Sequence, residues 1–291
     1  MLHYIITRFN LRLWAHDKRG RETQTQEWLE ERFRLFEAYC LPSVARQTES
    51  HFVWLVLFDS ETPVKYIERI RHYQKICPQF TPIRVRPEHS LRFVEVIQNV
   101  VSHYVAEKRK EAPDETRLLT TYLDNDDALR LDFVERVQAV AERMSANTFI
   151  SFVNGLQYYT ELEIATHIRY RNNHFVSFVE EVCPEKLHVK TVYGYGSHYY
   201  IDTYKKCKCQ YEKTDRPMWM EVVHTNNVDN DVLMTRSIRL VTCRDSLKDF
   251  GLDRLLSVHS RRIYYTCFFL RRLKEIVRHA KFKLFGHDWW K

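Results

Sequence analysis

The chain has 291 residues, 44% of them hydrophobic and 14% aromatic with only six glycines, enough apolar side chain to bury a full core and too varied for a disordered or fibrous protein. Its seven cysteines, an odd number in a chain this long, fit a reducing compartment better than a disulfide framework. The net charge of +7 is uneven: residues 254–291 carry ten Lys and Arg against two acidic residues, leaving 35 basic against 36 acidic elsewhere, which excludes a broadly basic, nucleic-acid-binding body.

No basic segment leads into a long apolar run at the N-terminus, and no window approaches eighteen uncharged apolar residues, so the sequence predicts neither a signal peptide nor a spanning helix. Residues 2–9 form a short apolar strand. Leu29, Phe33, Phe36 and Cys40 recur at helical spacing over 27–40, where Leu41-Pro42 is expected to end the helix. Residues 51–58 are continuously apolar and end in Asp59-Ser60, the pattern of a parallel strand covered on both faces.

A helix over 62–76 follows, with Pro63 near its first turn, then a strand around 82–85. Phe93, Val94, Ile97, Val100, Val101, Tyr104 and Val105 mark an amphipathic helix, 108–115 a charged loop, and 118–123 the next strand. Phe133, Val137, Val140, Ala141 and Met144 mark another helix. This β-α-β-α-β order predicts an α/β fold with a mostly parallel sheet flanked by helices. Beyond Phe149 the segments 149–153, 156–160 and 163–171 read as antiparallel strands added to the same sheet, and 191–204 as a tyrosine-rich loop around Gly194 and Gly196.

The fourth strand runs into Leu123-Asp124-Asn125-Asp126-Asp127, three carboxylates in four positions at a strand end. Anions packed this tightly raise one another's pKa unless a divalent metal, a positive substrate group or open water offsets the charge. The alternative is that Asp126 or Asp127 caps the helix beginning near Leu131. In an open α/β sheet, ligands sit outside the carboxyl ends of the strands.

The stretch Ser43-Val44-Ala45-Arg46-Gln47-Thr48, then Trp54-Leu55-Val56-Leu57-Phe58-Asp59-Ser60-Glu61-Thr62, resembles the "S-x-x-x-Q-T … I-V-V-D-D-G-S-x-D" signature of inverting, family-2-type glycosyltransferases of the GT-A fold. Asp124 to Asp127 resembles their "L-D-x-D-D" metal motif, and with 219–224 the chain is most similar to the rhamnosyltransferase branch. The Gly of the usual "D-D-G-S" turn is missing. The resemblance implies a nucleotide-sugar donor, Mn²⁺ or Mg²⁺ as cofactor, and a cell-surface polysaccharide or lipid-linked glycan as acceptor.

It places base, ribose and phosphate contacts at Thr7, Arg8, Asp59 and Asp124, with Arg84, Arg86 and Arg92 near the diphosphate. Asp126 is the expected direct metal ligand, Asp124 a ribose or water-mediated metal contact, and Asp127 a sugar contact or helix cap. His224 lies where such enzymes supply a third ligand from a C-terminal loop. Inverting transfer needs a general base for the acceptor hydroxyl; Glu221, flanked by Trp219 and Met220, is the candidate and Asp202 the reserve.

The expected organisation is a GT-A domain over 1–245, with a nucleotide-binding half (1–145) and an acceptor half (146–245), followed by a basic amphipathic helical tail over 246–291. Leu255, Ile263, Phe268, Phe269, Leu273 and Ile276 interleave there with Arg261, Arg262, Arg271, Arg272 and Lys274, the composition of an interfacial helix. A cytoplasmic protein held peripherally at the inner membrane face follows. Rival readings are a helix that packs on the sheet, a sugar nucleotidyltransferase, which would carry a Gly-rich phosphate loop absent after Thr7, and a catalytically inactive scaffold of the same fold.

Overall fold

A computed structural model describes residues 1–17, 20–182, 188–224, 240–241 and 244–253, with scattered positions between 262 and 280. Its first half alternates strand and helix: β1 (Leu2–Arg8), α1 (Gln26–Leu35), a π-helical turn (Phe36–Cys40), α2 (Leu41–Ala45), β2 (Val53–Asp59), α3 (Ile67–Ile76), β3 (Phe80–Val85), α4 (Phe93–Glu111), β4 (Arg117–Tyr122), β5 (Ala128–Leu129) and α5 (Phe133–Ala141). Leu41-Pro42 does not end the first helical run. Pro42 sits in the first turn of α2, where a missing N–H is tolerated, and the chain stays helical to Ala45.

The second half is β6 (Thr148–Phe152), β7 (Asn154–Tyr159), β8 (Ile164–Arg169), β9 (Ser177–Glu181), β10 (Lys208–Glu212) and β11 (Trp219–Val223). The main sheet has the order β10-β6-β9-β4-β1-β2-β3, with β9 antiparallel to both neighbours and the other pairs parallel. Its central strands are apolar on both faces because helices cover both: Phe33, Ile70 and Val137 pack from α1, α3 and α5 on one side, and Ile97, Val101 and Val105 from α4 on the other.

Not all the later strands join this sheet, as the sequence reading had them do. β7, β8 and β11 form a second sheet with the two-residue β5, in the order β5-β11-β7-β8, over its own core of Leu156, Tyr158, Met220, Val222, Leu247 and Phe250. Gly155 leaves room for the ring of Trp219, its partner on β11, whose Nε1 donates to the Phe152 carbonyl of β6 at 2.7 Å. A Cβ there would lie 2.3 Å from the Trp219 ring, which stacks on Phe175.

Candidate active site

The chain passes from β1 outward through β2 and β3, then returns to β4 on the other side of β1, so the crevice between the carboxyl ends of β1 and β4 is the topological switch point. Arg8 ends β1, and Asp124 stands two residues past β4. Asn125 fixes the loop between them by donating to the Phe9 carbonyl at 2.6 Å. Above it opens a cavity of about 660 Å³ walled by Arg8, Trp28, Arg32, Asp124, Asp126 and Glu221, with aromatic side chains from Tyr122, Tyr193 and Tyr199.

Each Asp of the cluster has a basic partner of its own. Asp124 faces Arg8 at 3.5 Å and accepts from the Tyr122 hydroxyl at 3.0 Å. Asp126 Oδ2 meets Arg32 Nη1 at 2.7 Å and His224 Nε2 at 2.9 Å. Asp127, with no exposed side-chain surface, takes His174 Nε2 at 2.7 Å on one oxygen and the Val222 backbone N–H at 2.8 Å on the other. The charge that the sequence left unbalanced is thus met largely from within, and neither Asp126 nor Asp127 caps α5, whose first turn follows Asp132.

Burial opposes the charge on Asp126, but Arg32 and then His224 outweigh it and hold this carboxyl well below the ordinary range. For Asp127, burial dominates and pushes the carboxyl up to about 7. Burial also acts on His174, where the hydrogen bond with Asp127 overcomes it and lifts the imidazole to about 9. This pair therefore retains a proton at neutral pH. Glu221, on β11, accepts from Gln157 Nε2 at 2.8 Å, and burial raises its carboxyl above the usual value against the pull of His174.

Arg8 lies in an aromatic box, its guanidinium carbon 5.1 Å from the Phe93 centroid, 5.3 Å from Tyr122 and 5.6 Å from Tyr193. It donates to the Tyr122 hydroxyl through Nη2, yet its buried Nε has no partner. Two more nitrogens of cleft-lining side chains, Trp28 Nε1 and His198 Nε2, are also buried without one. Burial pushes the His198 imidazole down to about 3, so the ring is neutral. Unsatisfied buried groups are uncommon in folded proteins, and three lie around this one cavity, where a ligand's polar atoms or water can complete their bonding.

Of the expected site residues, Arg8, Asp124, Asp126 and Glu221 line the cavity; His224 and Asp127 support it from behind. Six others are not brought to its wall: Arg84 stays on β3 and Arg86 pairs with Glu88 at 3.3 Å, and the remaining four are held elsewhere. Thr7 is buried in the sheet, accepting from the Trp54 indole at 3.0 Å; Asp59 is tied to Arg12 at 2.6 Å; Arg92 pairs with Glu95 on the surface; Asp202 is exposed on the turn His198–Thr203. Arg32, His174, Trp28 and His198 were not anticipated. Nothing local marks Arg32, which precedes Phe33 on an ordinary helix; the Asn172-Asn173 pair before His174 is at most a turn signal.

No curated protein matches the chain. Solved structures with some likeness include TarS 1–349 of S. aureus in complex with UDP (12% identity, TM-score 0.40, covering 77% of this chain and 61% of that one). Another is described as a "putative nucleotide-diphospho-sugar transferase" of Desulfovibrio desulfuricans (8%, TM-score 0.34, 78% and 84%), and a third as the inositol-1-phosphate CTP transferase of T. maritima (9%, TM-score 0.30, 79% and 92%). The chain thus spans less than two thirds of the TarS fragment. The sequence itself matches the family described as "Putative rhamnosyl transferase" over residues 4–236. With that match across most of its length, the chain belongs to this family.

Proposed function

We propose that the protein transfers a sugar, rhamnose by its family, from a nucleoside-diphosphate donor to a hydroxyl of a surface polysaccharide or lipid-linked glycan, with inversion and with a divalent cation. One observation carries this reading: the cleft at the switch point is lined together by Asp124, Asp126, Arg8 and the buried carboxyl of Glu221. In the proposal Arg8 and its aromatic box hold the donor's phosphate or base, and Glu221 takes the acceptor proton as the hydroxyl attacks in line.

The donor chemistry of the cluster fits Mn²⁺ or Mg²⁺. Asp126 Oδ2 and His224 Nε2 lie 2.9 Å apart, and Asp124 is two positions before Asp126 in the chain. Asp124, Asp127 and His174 are the competing set, the one grouping among the described residues whose three donor atoms lie within 4.8 Å of one another. We assign the cation to Asp126 and His224 with Asp124, because both oxygens of Asp127 are engaged and its side chain is fully enclosed. When bound, the ion neutralises the leaving diphosphate.

A panel of nucleotide sugars, each with and without Mn²⁺, tests the reading by thermal shift. A true donor at a hundredfold over its Kd stabilises the fold by about 2.7 kcal/mol, and the account expects this only with the cation present. Stabilisation by no nucleotide sugar, or by one equally well in chelator, contradicts it.

The proposal extends to peripheral contact with an anionic membrane surface. The tail lies largely outside the described residues; the positions that are described include exposed Phe269, Leu270, Leu273, Ile276 and Val277, and no described helix is long and apolar enough to cross a membrane. Phe269→Asp with Ile276→Asp is expected to lower co-sedimentation with phosphatidylglycerol vesicles at least fivefold without altering the melting point. Unchanged sedimentation removes the membrane from the proposal.

A further inference from the structure

Arg32 belongs to no motif, yet it holds the most central position in the cluster. Its side chain is 8% exposed, Nη1 lies 2.7 Å from Asp126 Oδ2 and 3.4 Å from Asn125 Oδ1, and its guanidinium carbon is 5.3 Å from the Trp28 ring. The Asp126 oxygen it touches is the one that His224 also reaches. A divalent ion approaching that oxygen meets a fixed positive charge at close range, in surroundings that screen it poorly.

Two positive charges held against one oxygen repel each other strongly in such surroundings. We propose that Arg32 is an internal counter-ion occupying the cation position on Asp126, and that a divalent metal displaces it only together with a diphosphate, to which the freed guanidinium then binds. This inference rests on the metal reading above.

The occupant of the displaced state is a diphosphate for reasons of shape and charge. The planar guanidinium fork matches two phosphate oxygens at once, and the unpartnered N–H of Trp28 Nε1 and nitrogen of Arg8 Nε lie on the same cleft as further donors. Metal alone has to break the Arg32–Asp126 pair with no new anion for the guanidinium. Metal with diphosphate supplies a new anion for it. The two ligands are therefore coupled, and the coupling is reciprocal.

Calorimetric titration of the full chain with Mn²⁺ alone, and with inorganic pyrophosphate at saturating Mn²⁺, tests the inference by opposite movements. In Arg32→Gln, Mn²⁺ alone is expected to bind at least tenfold tighter than in the wild type, and Mn–pyrophosphate at least tenfold weaker. Arg32→Lys keeps the charge and loses the fork; it is expected to match the wild type for Mn²⁺ and to bind Mn–pyrophosphate at least threefold more weakly. Were Arg32 only a support for Asp126, both affinities would fall together in both variants, and that result, or no change in either, overturns the inference. Equal Mn²⁺ affinity in the wild type and Asp126→Asn is a different failure, since it removes the metal site on which the counter-ion acts.

Discussion

Asp126→Asn is expected to lower sugar transfer by about 10³-fold, which corresponds to roughly 4 kcal/mol of lost transition-state stabilisation. The loss has two sources. The amide is a poor ligand for a hard cation, and it no longer carries the charge that organises Arg32 and His224 around the cleft. Asn keeps the shape of Asp and still accepts a hydrogen bond from Arg32, so the variant is expected to retain the far-ultraviolet circular dichroism of the parent. Initial rates with excess donor, read beside that spectrum, check the prediction, and near-wild-type turnover in a folded variant contradicts it.

Glu221→Gln is expected to lower kcat by about 10²- to 10⁴-fold, the usual cost of removing a general base, with little effect on donor KM. Gln157 can bond the new amide as it bonds the carboxylate, so the strand pairing of β11 is preserved. The pH profile separates chemistry from structure. Burial raises the Glu221 carboxyl above its ordinary value, and the base acts only when ionised, so wild-type kcat falls as pH drops through that raised pKa. The acid limb should therefore lie above the ordinary carboxylate range and vanish in the variant. An unchanged limb in Glu221→Gln assigns the base elsewhere.

The main sheet was legible because strands buried on both faces, such as 53–59, write themselves as unbroken apolar runs between amphipathic helices. The second sheet was not, since β11 pairs with β7 across more than sixty residues and its aromatic strand looks locally like a main-sheet strand. The same distinction governs the site. Arg8, Asp124 and Asp126 sit at strand ends that periodicity can place, whereas the Arg32–Asp126 and His174–Asp127 pairs span separations of 94 and 47 positions and leave no local trace. Thr7 shows the limit within a strand. Successive side chains point to opposite faces, so when Arg8 reaches the cleft its neighbour turns toward Trp54.

The most direct measurement is anomalous diffraction from crystals of the full chain grown with Mn²⁺ and the nucleoside diphosphate that the donor panel selects. The account predicts a manganese peak against Asp126 and His224, with the diphosphate between it and the Arg8 side of the cleft. A peak between Asp124, Asp127 and His174, or a nucleotide bound away from the β1 and β4 ends, contradicts it.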